Sequence, residues 1–217
     1  MSILNQQGLL ATEEVESTQE KILGCASERF AHQGFQKTTV QEICQCAGAN
    51  IAAVNYHFGS KGELYLGVWK RAARLSEKMV EQLDALSSPE EWIRQVVQQR
   101  IQVIFTEGPG SWIPNMIHHE MHNHSEYFDE IFKVFLRPMQ ARFMKQVAVY
   151  LGPKATPFQV QSAVDSVMGF FPMLNHMRHH RKIRLSPEEI LQLTQQTQVY
   201  ILGGLAAIKK NIEEETP

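Results

Sequence analysis

Apolar residues along this chain recur at intervals of three and four, and nowhere do they hold the two-residue alternation of a half-buried strand. The pattern predicts helices throughout. Ser17-Thr18-Gln19-Glu20 has the form of a capping box, opening a first helix whose Ile22, Leu23, Ala26 and Phe30 share a face until Gly34 closes it, with Phe35 packing back as an anchor. A second, short helix follows Thr38 or Thr39, either hydroxyl being a good cap, turns Val40, Ile43 and Ala47 inward and stops at Gly48. Asn50 caps a third short helix running to Phe58 and broken at Gly59. Ser60 caps a long fourth that passes through Leu64, Val68, Leu75 and Met79 towards Leu86.

Ser88-Pro89-Glu90-Glu91 then restarts a helix with proline in its first turn and acids at its positive end, carrying Trp92, Val96 and Ile101 to Phe105 before Gly108-Pro109-Gly110 breaks it. Beyond lie a segment from Trp112 to about Asn123 and a helix from about Glu126 to Leu151 with Pro138 inside it. Another helix after Pro157 is expected to be interrupted at Pro172, and a last one spans Ser186 to Lys210. The expected fold class is all-α: an N-terminal three-helix unit followed by a larger helical domain. The corresponding divisions are an arm over 1–16, the three-helix unit over 17–66 and the rest over 67–217, with the natural boundary inside the long fourth helix.

Composition narrows the class. Hydrophobic residues make up 43% and charged residues 20%, the balance of a folded chain and not of a disordered one. No apolar run approaches the roughly 20 residues that cross a bilayer, and the start lacks a basic flank, so a cytoplasmic protein with no membrane partner is expected. Cys25, Cys44 and Cys46 are odd in number, and the last two point to different faces of one helix, so no disulfide framework is expected. The net charge of −2 argues nothing by itself, but Lys21 to Arg74 holds seven basic residues against three acidic ones.

Three short helices with a tight turn between the second and third present one helix to a major groove about 12 Å wide. The stretch T-T-V-Q-E-I-C-Q-C-A-G-A-N-I-A-A-V-N-Y-H-F-G-S-K-G-E-L-Y, Thr38 to Tyr65, closely resembles the N-terminal helix-turn-helix of TetR-family regulators. The matching elements are Thr39, Ile43, the Ala47-Gly48 turn, Tyr56-His57-Phe58 and Ser60-Lys61. The resemblance implies a homodimer that binds a palindromic double-stranded DNA operator, usually as a repressor, with a small-molecule effector pocket in the remainder. Carried over by position, the DNA-facing residues are Thr39, Gln41, Asn50, Ala52, Ala53, Asn55, Tyr56, His57 and Lys61. Gln41 and Asn55 have the amides to read adenine, Ala52 or Ala53 can touch a thymine methyl, and Tyr56, His57 and Lys61 suit phosphates. Ala49-Asn50, Ala52 and Asn55 depart from the family's usual residues on the reading face. The Asn50-to-Lys61 segment, with Trp112-Ile113-Pro114-Asn115-Met116 downstream, resembles the CecR-like subgroup.

The C-terminal part supplies aromatic and sulfur surface suited to an apolar or aromatic effector: Trp112, Met116, Phe132, Phe135, Met139, Phe143, Phe170, Met173, His176 and Met177. His118, His119, Glu120, His122 and His124 form a second constellation. Zincin spacing fails because Asn123 stands where the second histidine belongs, and a polar edge is the preferred reading, with no metal or other cofactor. His118 and His122 are nevertheless one turn apart and could bind metal, as could His176, His179 and His180. The alternative on this scaffold is thus a redox- or metal-sensing regulator; nothing announces a nucleophile–base pair of an enzyme. By the resemblance, the last two helices form the dimer's four-helix bundle, with Val160, Val164, Val167 and Phe171 on one and Leu191, Tyr200, Leu202, Gly203, Gly204, Ala206 and Ala207 on the other, although a plain core could use the same surfaces.

Overall fold

In a computed structural model, residues 17–84, 88–106 and 111–214 are described. The expected arm over 1–16, Leu86 and the Gly108-Pro109-Gly110 break lie outside them. Ten α-helices follow in order: α1 Thr18–Lys37, α2 Val40–Ala47, α3 Ile51–Phe58, α4 Lys61–Asp84, α5 Pro89–Phe105, α6 Trp112–His122, α7 Phe128–Ile131, α8 Arg137–Leu151, α9 Pro157–Arg181 and α10 Pro187–Glu214. No strand occurs among the described residues.

Local capping chemistry sets the starts. The Ser17 hydroxyl accepts from the Glu20 amide at 3.2 Å, but the box is half made, because the Glu20 carboxylate reaches Arg71 Nε on α4 at 3.0 Å instead. Thr39, not Thr38, caps α2 with a complete capping box through Glu42. Thr38 is buried and donates to the Gly34 carbonyl at 2.8 Å, satisfying backbone left open where Gly34, at φ 78°, kinks α1. Gly48 ends α2 in the left-handed region (φ 61°, ψ 30°), giving the tight turn into α3. Asn50 and Ser60 cap α3 and α4 as the sequence leads one to expect.

Two corrections concern proline. Five π-helical residues, Phe132–Leu136, precede α8 and shift the hydrogen-bond register so that the Arg137 amide reaches Phe132 O just before Pro138, which has no amide to give. Pro172 was expected to interrupt its helix, yet α9 runs through it to Arg181. The turns on both sides are held by the buried Val167, Phe171 and Asn175, and Asn175 Nδ2 donates to the Pro114 carbonyl at 3.1 Å.

The helices enclose two apolar cores. One gathers Ile22, Phe30, Ile43, Val54, Tyr65 and Trp69 from α1 to α4, and takes Met116, Ile131 and Phe135 from beyond residue 66. The other joins Trp92, Ile101, Phe143, Val164 and Leu205 from α5, α8, α9 and α10. The N-terminal unit is therefore packed, not merely tethered, against the larger domain. Phe35 lies between Tyr65 and Tyr127, tilted to the first and edge-on with the second, with ring centroids 5.0 and 5.2 Å away. Gly62 opens that approach, because a Cβ there would overlap the Tyr127 hydroxyl.

The cysteine expectation is overturned. Cys25 on α1 and Cys46 on α2 form a disulfide, with Cα atoms 5.8 Å apart, while Cys44 is buried and free. The two-residue spacing does separate Cys44 from Cys46, and it sends Cys46 outward to where α1 passes.

Candidate nucleic-acid interface and the cavity behind it

Helix α3 is short, with a cap at each end and one fully buried side chain, Val54, helped by the half-buried Phe58. Everything else on it is open to some degree. Tyr56 is 86% exposed, and Ile51, Ala52 and Asn55 lie on the same outer surface. A tyrosine that gives up this much burial is placed for a partner. Ala53 and His57 are half-buried flanks of the face, and the His57 ring lies 5.1 Å from that of Tyr56. Gln41 is exposed on neighbouring α2.

Two of the expected DNA-facing residues are partly engaged already. Thr39 Oγ1 lies 2.8 Å from Glu42 Oε2 and accepts from the Glu42 amide, and hydrogen bonds from Thr39 and Gln33 hold the Glu42 carboxyl below its ordinary range. Asn50 Oδ1 accepts from the Ala53 amide at 2.8 Å, which leaves its Nδ2 as a donor. Lys61 is a correction. Its ammonium turns inward, donating to the carbonyls of Phe35 at 2.8 Å and Thr38 at 3.0 Å and lying 4.2 Å from the Phe35 ring centroid. Burial lowers its pKa. Lys61 thus closes the frayed end of α1 and is not held out towards a phosphate.

Behind the reading helices, a cavity of about 280 Å³ opens where the two cores meet. Its walls include Phe135, Val134 and Ile113 from the side of the first core, Trp92, Phe143 and Leu83 from the second, and Arg71 and Leu75 on α4. Of the ten residues expected to line a pocket, Phe135, Met139 and Phe143 do so. The others are elsewhere for identifiable reasons. Met116 and Trp112 pack into the first core, Phe132 and Met173 face solvent, and Phe170 lies beside Tyr200. His176 joins a histidine group between α6 and α9, and Met177 is not among the cavity's walls.

Residues that apolar patterning passed over give the cavity its chemistry. Arg71, Arg100 and Arg142 all line it. Arg71 is the partner of Glu20, which joins the cavity wall to α1. The Arg100 guanidinium meets the Met139 sulfur and, among the described residues, no carboxylate; burial lowers its pKa to about 10. An arginine without an acid inside an apolar wall is the signal that was available, since Arg100 falls on the inward side of α5, between Val97 and Ile101.

A buried bridge ties α4 to α6. The Tyr65 hydroxyl donates to Glu120 Oε1 at 2.6 Å, and Glu120 Oε2 accepts from the Ser125 amide at 3.0 Å. Burial, then the Glu120 bond, raises the Tyr65 pKa, so the phenol stays protonated and donating.

The residues of α9 and α10 divide between the two uses open to them. Val160, Val164, Val167 and Phe171 belong to the chain's own core, as does Leu202. The large apolar residues left outside are Leu191, Val199 and Tyr200 on α10 and Phe158 and Met173 on α9, with Gly203, Gly204, Ala206 and Ala207 of α10 also exposed.

Known proteins are similar to this chain in sequence and in fold. Residues 22–68 match the family described as bacterial regulatory proteins, tetR family, and residues 89–208 match the C-terminal domain of the HTH-type transcriptional dual regulator CecR. The chain is 32% identical over 72 residues to the HTH-type transcriptional regulator AcrR of Shigella flexneri, covering 33% of this chain and 32% of that one. With CecR of the same organism it shares 43% over 51 residues, 24% of this chain and 22% of that one. Each match spans a third or less of the relative's length. In fold the chain is similar to the regulator FadR from Bacillus subtilis, whose crystal structure is in complex with stearoyl-CoA: TM-score 0.70, 13% identity, 85% of this chain and 97% of that one. Among the described residues, no helix is long and apolar enough to cross a membrane.

Proposed function

The chain belongs to the TetR family of bacterial transcriptional regulators, with a C-terminal domain of the CecR type, and from that premise we propose that it binds a palindromic DNA operator as a homodimer, in the manner of a repressor, and is released by a small amphiphilic effector. Family and fold are those of regulators, not of enzymes. The observation that carries the DNA reading is the outer face of α3, where Asn55 and a Tyr56 with 86% of its surface exposed stand on a helix fixed from behind by Val54. Asn55 offers a bidentate amide to a base edge and Tyr56 a hydroxyl to a phosphate. Gln41 and the free amide of Asn50 extend the same surface.

Dimerisation is supported by the apolar strip of Val199, Tyr200, Gly203, Gly204 and Ala207 on α10, continued by Met173 on α9. Small residues there permit close helix approach. Two copies paired in this way set their α3 helices for successive major grooves, about 34 to 36 Å apart. DNA selection with the purified protein is the test: a palindrome is expected to be enriched, and sedimentation to give twice the chain mass. Failure to enrich any two-fold site overturns the reading.

The effector class follows from the cavity. Its apolar walls suit an aliphatic or aromatic body, and Arg100, with Arg142 beside it, suits an anionic head. A ligand wedged between the cores would press on α4 at Arg71 and, through Glu20, shift α1 beneath the reading helix. With palmitate and stearoyl-CoA as probes, operator release is expected from the parent protein and at least tenfold weaker response from Arg100→Met. Equal response in the variant removes Arg100 from the site.

The Cys25–Cys46 disulfide supports a second reading, in which oxidation adjusts operator affinity by tying α1 to α2. Reduction with dithiothreitol is then expected to change affinity in the parent and not in Cys46→Ser.

A further inference from the structure

Nine histidines occur in the chain, and six of them, His118, His119, His122, His176, His179 and His180, lie on α6 and α9. Three converge. His118 and His122 stand one turn apart on α6, His176 faces them from α9, and one ring nitrogen of each lies within 4.8 Å of the others. Their ring centroids are 4.2 Å (His118–His122), 5.3 Å (His118–His176) and 5.4 Å (His122–His176) apart. Imidazoles brought together by helices more than 50 residues apart in sequence gain nothing from one another as cations, since protonation sets like charges side by side.

The His122 ring is oriented for ligation. His122 Nδ1 lies 2.9 Å from the His118 carbonyl, which can only accept, so Nδ1 carries the proton and Nε2 keeps its lone pair. The next shell is ordered as well: His179 Nε2 donates to Asn115 Oδ1 at 2.7 Å, and Asn175 holds the Pro114 carbonyl, pinning α9 to α6 just above the group.

We propose that His118, His122 and His176 form a tri-histidine site for a late first-row transition-metal dication, with zinc as its reference ion, that braces α6 against α9. An all-imidazole set suits zinc, nickel or copper and not magnesium or calcium, which take oxygen ligands. Tetrahedral zinc with nitrogens at about 2.0–2.1 Å requires them roughly 3.3 Å apart, a closure that side-chain rotation supplies at an exposed His122 and partly buried His118 and His176. Three ligands leave a fourth position for water. None of the three lines the 280 Å³ cavity, so the site is separate from the effector's. Helix α6 also carries His119, whose Nε2 lies 3.2 Å from the Ala31 carbonyl of α1, and Glu120, which binds Tyr65. The brace therefore acts on the helix that supports the DNA-binding unit.

The test titrates chelator-treated, dialysed, full-length protein with zinc chloride alone by calorimetry at pH 7.5, and with cobalt(II) for its visible d–d bands. One zinc per chain, tetrahedral cobalt bands and a raised thermal midpoint in zinc are expected. His122→Gln and His176→Gln should each weaken binding at least tenfold and abolish the thermal shift, while His124→Gln and His180→Gln retain both; circular dichroism confirms that each variant is folded. Absence of stoichiometric binding overturns the proposal, as does binding that survives in the triple variant H118Q/H122Q/H176Q.

Discussion

The two apolar cores are made of the same residue types and finish differently. Around α1 to α4, Ile22, Phe30, Ile43, Val54, Leu64 and Trp69 are closed off completely, with Met116 of α6 brought in against them. Around α5, α8, α9 and α10, Ile93, Val97, Ile101 and Val164 are as well buried, yet the edge that faces the first core stays open as a 280 Å³ cavity containing arginines. A reading head must hold one shape to fit a groove. A sensor must have a shape that a ligand changes, and the gap is located where a change reaches α4 directly.

Substitutions can break or sharpen this contrast. Trp69→Ala, in the closed core, is expected to cost about 3–5 kcal/mol in denaturant unfolding, whereas Met168→Ala, on the second core's wall that already faces empty space, should cost under about 2 kcal/mol. Equal costs would dissolve the distinction. Tyr65→Phe removes the donor to buried Glu120 and is expected to cost about 1–3 kcal/mol, because the carboxylate keeps its burial and loses a partner. Val103→Phe fills part of the cavity; unfolding stability should change by no more than about 1 kcal/mol while palmitate-induced operator release disappears. A loss of several kcal/mol there would mean the space is not available. Smallest is Glu20→Gln: its pair with Arg71 is half exposed and worth about 0–1 kcal/mol, so stability should barely move while effector response falls.

The first core was far more legible in the sequence than the second, and particular residues show why. Ser17, Thr39, Asn50 and Ser60 cap helices through amides three residues away, so a short window contains the whole interaction. The break at Gly34 is legible from the glycine itself, but the Lys61 ammonium serves carbonyls 23 and 26 residues upstream, a reach that no local pattern announces. Val160, Val164 and Val167 announce a buried face, but periodicity is the same whether a helix of the same chain or of a second copy covers it. The cavity follows the same rule. Phe135, Met139 and Phe143 were found because they are apolar and inward; Arg71, Arg100 and Arg142 were missed because an arginine reads as surface until the fold encloses it. Cys25 and Cys46 pair between α1 and α2, a contact that neither the odd cysteine count nor the Cys44–Cys46 spacing registers.

The most direct measurement concerns the exposed face of α3. With the operator obtained by selection, fluorescence anisotropy titrations would compare the parent with Asn55→Ala, Tyr56→Ala and the double variant at fixed salt. Neither side chain supports the core, so thermal midpoints should be unchanged, while affinity falls by about 1–3 kcal/mol for Asn55→Ala, a factor of roughly 5 to 150, and further for the double variant. Unaltered operator affinity in the folded double variant would contradict the account.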